Sequence, residues 1–151
     1  MPIISALLSI ALAAPLTEEP RRHELALTGV GRFAVFADLA SIRPDGDGVR
    51  MRALQVGEAD MMIDGVAYVG GWSWWRFDCA ARTADRLDFA PLRGDGTEGP
   101  ITPETAPPYP AAPGGDAAEL LAAACGETVP PITASNAAEA VRLGRARMLE
   151  D

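Results

Sequence analysis

The chain has 151 residues and a formal net charge of −8, and all 13 of its basic residues are arginine. This length supports one domain with a buried core. An acidic balance without a long basic run argues against a nucleic-acid partner or an anionic membrane surface, because both select for clustered positive charge.

The N-terminus has the pattern of an export signal. Apolar residues fill 3–14, a run too short to span a bilayer as a helix, and Ala11 and Ala13 fit a small-x-small cleavage pattern. We therefore predict a signal peptide over 1–13, an N-terminal segment over 14–28, and a mature protein that is periplasmic, secreted or on the cell surface. Because the leader carries no basic side chain, a buried first strand is the alternative. No cysteine lies near the cleavage site, so we expect no lipid anchor.

The chain contains two cysteines, Cys79 and Cys125. In an oxidising compartment an even pair most often forms a disulfide, so export also predicts the Cys79–Cys125 bond. The two are too far apart in sequence for a Cys-x-x-Cys redox site. The single histidine, His23, lies in the segment after the leader, where we expect a mobile chain. One histidine and two cysteines are too few ligands for zinc, and we predict no metal or cofactor.

The middle of the chain alternates apolar and polar residues between short turns rich in aspartate and glycine. These turns lie at 45–48, 64–65 and 94–96, and both residue types tolerate positive φ. A calcium loop at 45–48 is the alternative, but the third oxygen ligand and the distal glutamate of an EF-hand are missing. Period-two alternation between such turns predicts consecutive antiparallel strands, a meander.

The three tryptophans lie together in the stretch 72–79, which we predict to be the central strand. Alternation places Trp75 and Phe77 on the same face as Cys79. The opposite face is our candidate binding face, with the side chains of Trp72, Trp74 and Arg76. Exposed tryptophans serve as protein-contact hot spots or stacking platforms. The alternative is that a second helix, the proline-rich segment or a second subunit covers this face.

The C-terminal third begins with six prolines between 100 and 113. Proline lacks the amide donor, so this segment is predicted to be an extended connector. A helix follows, with Asp116 as N-cap, Glu119 completing a capping box and Gly126 at the C′ position. Its last turn carries Cys125 near the apolar stripe.

A second helical pattern lies within 127–151. Asn136 with Glu139 is expected to cap it, but its apolar stripe of Ala140, Val141, Gly144 and Met148 is thin. We interpret 127–151 as a loosely attached tail with a possible helix. The alternative is a helix that binds a partner.

Five short stretches resemble, in order and spacing, the surface-adhesin E domain of Gram-negative bacteria: 33–43, 49–54, 77–82, 113–115 and 120–125. The resemblance covers roughly 30–126. It implies an antiparallel sheet of about six strands, with a C-terminal helix tied to one face by a disulfide. It also implies binding to host extracellular-matrix or plasma proteins. The fold class predicted here is thus α+β, with the disulfide-stapled domain at 29–126.

Catalytic motifs are weak. The pattern at 29–34 fits a loose dinucleotide fingerprint, but no crossover helix follows it. Ser73 lacks the closing glycine of a nucleophile elbow. We therefore predict an exported, non-catalytic protein that binds a protein partner or a second copy of itself. The alternative is a periplasmic small-ligand binder or hydrolase that uses carboxylates near the tryptophan face.

Overall fold

The computed structural model describes residues 22–150. The predicted signal peptide at 1–13 and the residues 14–21 behind it lie outside this range. The described strands and helices are, in chain order, β1 Leu25–Val30, β2 Phe33–Asp45, β3 Gly48–Ile63, β4 Val66–Asp78, β5 Thr83–Arg86, β6 Asp88–Arg93, β7 Thr102–Pro103, β8 Tyr109–Pro110, α1 Asp116–Ala124 and α2 Ala137–Met148.

The strands form an antiparallel sheet in the order β1-β2-β3-β4-β5-β8, and β6 pairs with β4 and β7. The α+β class and the antiparallel sheet are confirmed. Eight strands replace the expected six, and the return of β6 to β4 departs from a simple meander. The reason is the length of β4, whose 13 residues pair with β5 through 75–78 and with β6 through 68–72. Between these two partners, the Asp88 carboxylate accepts a hydrogen bond from the backbone N–H of Trp74 at 2.8 Å.

The three aspartate- and glycine-rich segments are turns, as predicted. Gly46 and Gly96 have φ values of 61° and 88°. Asp64 and Gly65 both have positive φ, 50° and 77°, and connect β3 to β4 as a two-residue hairpin turn.

Helix α1 covers one face of the sheet. Its Leu120 and Leu121 side chains are buried against Phe77, and Trp75 and Cys125 pack at the edge of the same cluster. The predicted disulfide is present between Cys79, directly after β4, and Cys125. The expected attachment of α1 to this face is therefore confirmed.

The start of α1 differs from the expected capping box. Gly115 is the N-cap, and no side chain caps the helix. Gly114 has a φ of 81°, and this turn brings Asp116 into the first helical turn, where its charge is favourable near the helix N-terminus. The end of α1 is as predicted, with Gly126 at a φ of 72° and the Glu127 N–H donating to the Ala122 carbonyl at 2.9 Å.

Helix α2 covers the opposite face, so the interpretation of 127–151 as a loosely attached tail is corrected. Asn136 caps α2 by accepting from the Glu139 N–H at 2.9 Å, and the Leu25 N–H donates to the Ala134 carbonyl at 2.9 Å. The helix reaches the sheet through small residues. A β-carbon added to Gly144 would lie 2.8 Å from the Ala34 β-carbon. The thin apolar stripe thus permits close packing.

The proline-rich segment contributes only the two-residue edge strands β7 and β8, as expected for a chain that lacks amide donors. Within residues 22–150, no helix is long and apolar enough to cross a membrane.

Candidate functional site

The predicted binding face lies on the α2 side of the sheet, and its first tryptophan is part of the core. Trp72 is only 3% exposed and packs among the residues under α2. The His23 ring stacks on it with 4.9 Å between centroids, and the Arg52 guanidinium lies 4.6 Å from its centroid. Trp72 is therefore covered and is not available to a partner.

His23 also differs from the expectation of a mobile chain. Its Nδ1 lies 2.7 Å from Oδ2 of Asp38, and Oδ1 of Asp38 accepts from the Glu24 N–H at 3.1 Å. Burial alone raises the pKa of Asp38, but these hydrogen bonds and the neighbouring imidazole outweigh it, so the pKa lies below its ordinary value. His23 and Glu24 are thus held against β2 by one buried carboxylate.

Trp74 and Arg76 remain accessible, but each has a partner within the chain. Trp74 is half-buried, and the Arg43 guanidinium lies over its ring at 4.4 Å. Arg76 donates to Asp47 at 2.9 Å and lies 3.6 Å from the Asp45 carboxylate. The candidate face therefore consists of one covered tryptophan and a surface of stacked and ion-paired side chains.

The alternative hypothesis of a ligand binder or hydrolase requires a concave pocket at Trp72 or Trp74. The three cavities that we describe, of about 340, 160 and 190 Å³, are lined by other residues. Within residues 22–150, no group of three or more His, Cys, Asp or Glu side chains is arranged to hold a metal ion.

A second candidate site is the end of the β3–β4 hairpin, residues 58–66, which we call the arm. The last residue of β3 that pairs with β2 is Gly57, opposite Phe33. Beyond it, the pairing of β3 with β4 is irregular between Val56 and Met61, and it resumes as a two-stranded ribbon from the pair Met61 and Tyr68 to the pair Ile63 and Val66. One edge of the arm therefore has no neighbouring strand in the described part of the chain.

The arm exposes a concentration of apolar side chains. Met61 and Met62 are 61% and 62% exposed, and Ile63 and Val66 are 49% and 37% exposed. Large apolar groups that adjoin one another on a surface are typical of interaction sites, whereas single ones are common everywhere.

One face of the arm continues into a cavity on the α1 side of the sheet. Met61 pairs with Tyr68 across the hairpin, and both line an apolar cavity of about 160 Å³ together with Phe33 and Phe89. Alternation along β3 places Ile63 on the same face as Met61. We call this combined area the arm surface, formed by Phe33, Met61, Ile63, Val66, Tyr68 and Phe89.

Sequence reasoning predicted the hairpin at 64–65 but missed its projection from the sheet. The available signal was the pair of unbroken apolar runs on either side of the turn, 61–63 and 66–69. A strand that alternates apolar and polar residues exposes one face to solvent. An unbroken apolar run therefore indicates either a strand with both faces covered or an exposed apolar segment. Which of the two applies depends on where β2 ends.

The arm is acidic as well as apolar. It contains Glu58, Asp60 and Asp64 and no basic residue. Arg145 of α2 anchors its base by donating to the Gly57 carbonyl at 3.1 Å and to Asp60 at 2.8 Å. The base is therefore fixed to the core, whereas at the tip Asp64, which has no ion pair among residues 22–150, lies next to apolar side chains.

Comparisons with protein-family models, with curated proteins and with solved structures find no match. The resemblance to the surface-adhesin E domain thus stays a prediction.

Proposed function

We propose that this is an exported, non-catalytic protein that binds a protein partner through the arm surface. The observation that supports this most directly is the projecting arm with its four large exposed apolar side chains. Export is supported by the Cys79–Cys125 disulfide, because such bonds persist in oxidising compartments.

The arm can bind a partner in two ways at once. Residues 61–63, which pair with β4 on one side, present backbone donors and acceptors along an edge that β2 does not reach, and an extended segment of a partner can add to such an edge. The apolar side chains of Met61 and Ile63 would then supply the contact area. Methionine suits this role because its flexible side chain adapts to an irregular surface.

Charge favours a different protein over a second copy. Two arms placed edge to edge would bring Glu58 and Asp64 of each copy near the same residues of the other, and like charges in an interface are unfavourable. The preferred partner therefore has an apolar centre with basic residues around it. The resemblance to surface-adhesin E implies that this partner is an extracellular-matrix or plasma protein.

A photo-crosslinking amino acid at position 63, where Ile63 is part of the arm surface and 49% exposed, tests this proposal in the native envelope and culture medium. The matched control carries the same amino acid at position 129, because Val129 is also an exposed apolar residue, 89% exposed, but lies far from the arm in sequence. We expect a discrete crosslinked protein from position 63 and none from position 129. The same labelling at both positions would contradict the proposal.

The double variant Met61→Ser/Ile63→Ser then measures the contribution of the arm surface. Truncating two central apolar contacts of an interface should weaken binding of the captured protein by about tenfold or more. Val129→Ser should leave its affinity unchanged. A crosslink between two copies of this chain would instead identify self-association.

A further inference from the structure

The largest of the three described cavities, about 340 Å³, lies between α2 and the end of β6. Its apolar part is formed by Val69, Leu92 and Val141, and its charged lining includes Arg93, Arg142 and Arg145. A volume of this size is typical of small-molecule sites, and the lining combines an apolar part with five charged residues. Neither the predicted tryptophan face nor the arm surface includes these arginines.

Two of the three arginines have no carboxylate partner within the described residues. Arg145 pairs with Asp60. Arg93 donates only to neutral oxygens, Thr97 Oγ1 at 3.3 Å and the Glu98 carbonyl at 2.9 Å, and no ion pair is found for Arg142 in the described part of the chain. Hydrogen bonds, and to a smaller extent the nearby charges of Arg93 and Arg142, lower the pKa of Asp95 and of Glu139. Neither carboxylate forms an ion pair with its arginine, so both guanidiniums have donors left for a ligand.

The cavity also contains two carboxylates, and both have donors of their own. Asp60 is held by Arg145 at 2.8 Å. Asp95 accepts hydrogen bonds from the Thr97 N–H at 2.9 Å and from the Thr97 hydroxyl at 2.7 Å. These hydrogen bonds lower the pKa of Asp95 and so favour its ionised form. The cavity lining therefore contains three arginines and two aspartates. This small positive balance favours a ligand with a single negative charge over a multiply charged one.

We propose that this cavity binds a small carboxylic acid with an apolar body. Arg93 and Arg142 would bind the carboxylate, since a guanidinium matches its two oxygens. The apolar body would lie against Val141, Ala137 and Ala138, with the buried Val69 and Leu92 at the floor of the cavity. The two aspartates disfavour phosphate, and the apolar wall gives a short hydrophilic acid little to contact.

Isothermal titration calorimetry on the oxidised full chain with octanoate tests the proposal, with acetate, octanol and octylammonium as comparators. Octanoate should bind in a saturable manner. Acetate lacks the apolar body, octanol lacks the charge and octylammonium has the opposite charge, so each should bind at least about tenfold more weakly. No heat from octanoate up to millimolar concentration, or equal binding of octanol, would overturn the proposal.

Variants locate the site. Arg93→Gln/Arg142→Gln should weaken octanoate binding by at least about tenfold, because charge-assisted hydrogen bonds are lost. Arg147→Gln is the matched control on the same helix, since Arg147 is exposed and pairs with Glu150; it should change nothing.

Ala138→Phe provides a second, independent measurement, because Ala138 lines the cavity but is exposed, so that a larger side chain fills the space without entering the core. It should abolish octanoate binding while the melting temperature stays the same. Unchanged binding in both the arginine variant and Ala138→Phe would refute the site. This readout involves no protein partner, so it is independent of the proposed role of the arm.

Discussion

The Nδ1 atom of His23 lies 2.7 Å from the buried carboxylate of Asp38 while its ring stacks on Trp72. One histidine thus connects the first described residues to β2 and to the central strand β4. The contact gives the buried Asp38 carboxyl group a part in the acid stability of the fold.

The free energy of unfolding should fall at acid pH because of Asp38. Its pKa in the folded state is below the ordinary value of 3.8, so its stabilising contribution is fully present above that value and is lost as the pH falls through the folded pKa. Asp38→Asn should destabilise the protein at pH 7 by about 1–3 kcal/mol. The loss of stability between pH 7 and pH 2 should be smaller in this variant than in the wild type. Melting temperatures measured from pH 2 to 7 check this. Asp47→Asn, at an exposed carboxylate with 90% side-chain exposure, is the control, and an equal loss in Asp38→Asn and the wild type would contradict the prediction.

Trp72 and Trp74 should respond differently to truncation. Trp72→Ala removes a buried side chain under α2 and should cost about 3–5 kcal/mol of stability. Trp74→Ala removes a half-buried ring whose main described contact is the Arg43 guanidinium, and should cost about 1 kcal/mol. Urea unfolding of the two variants measures the difference. Equal losses would show that Trp74 is also part of the core.

Gly144 should not tolerate even a methyl group. Alanine favours a helix over glycine by about 1 kcal/mol, but the added β-carbon would lie 2.8 Å from the Ala34 β-carbon, which has no flexible side chain to move. We therefore expect Gly144→Ala to lower stability by about 1–3 kcal/mol as α2 is displaced from β2.

The exposed Ala146, on the same helix, provides the control for Gly144. Ala146→Leu should change stability by less than about 0.5 kcal/mol. If thermal unfolding showed a stabilised Gly144→Ala variant, α2 would not be packed as closely as described.

The disulfide should contribute a large part of the net stability. Joining Cys79 to Cys125 closes a loop with a sequence separation of 46, worth about 4 kcal/mol in the chain-entropy description. Reduction, or the double variant Cys79→Ser/Cys125→Ser, should lower the melting temperature and increase hydrogen exchange in α1 first. Reductant should have no further effect on the double variant, and a melting temperature insensitive to reductant in the wild type would refute the prediction.

Local patterns determined much of the fold in advance. Asp64-Gly65 predicted a hairpin because few other residues adopt positive φ, and the alternation after Trp72 correctly separated Phe77, under α1, from Trp72, under α2. Gly126 likewise marked the end of α1, because the left-handed conformation there favours glycine.

Other features depended on contacts between segments distant in sequence. Hydrophobicity alone predicted a weakly attached α2, because Ala140 and Gly144 contribute little apolar area. In the structure their small side chains allow α2 to pack closely against the sheet at Ala34. His23 has no local pattern that predicts a partner, since Asp38 meets it only through the pairing of β1 with β2.

The sequence by itself therefore determined three features. The turns follow from local backbone preference, the strands around Trp72 follow from side-chain alternation, and the disulfide follows from the presence of only two cysteines in the chain. Only the tertiary structure decided that Trp72 is covered while Met61 is exposed. Both residues lie on the same hairpin, and their burial depends on where β2 ends and where α2 packs. Those are long-range relationships that period-two alternation does not encode.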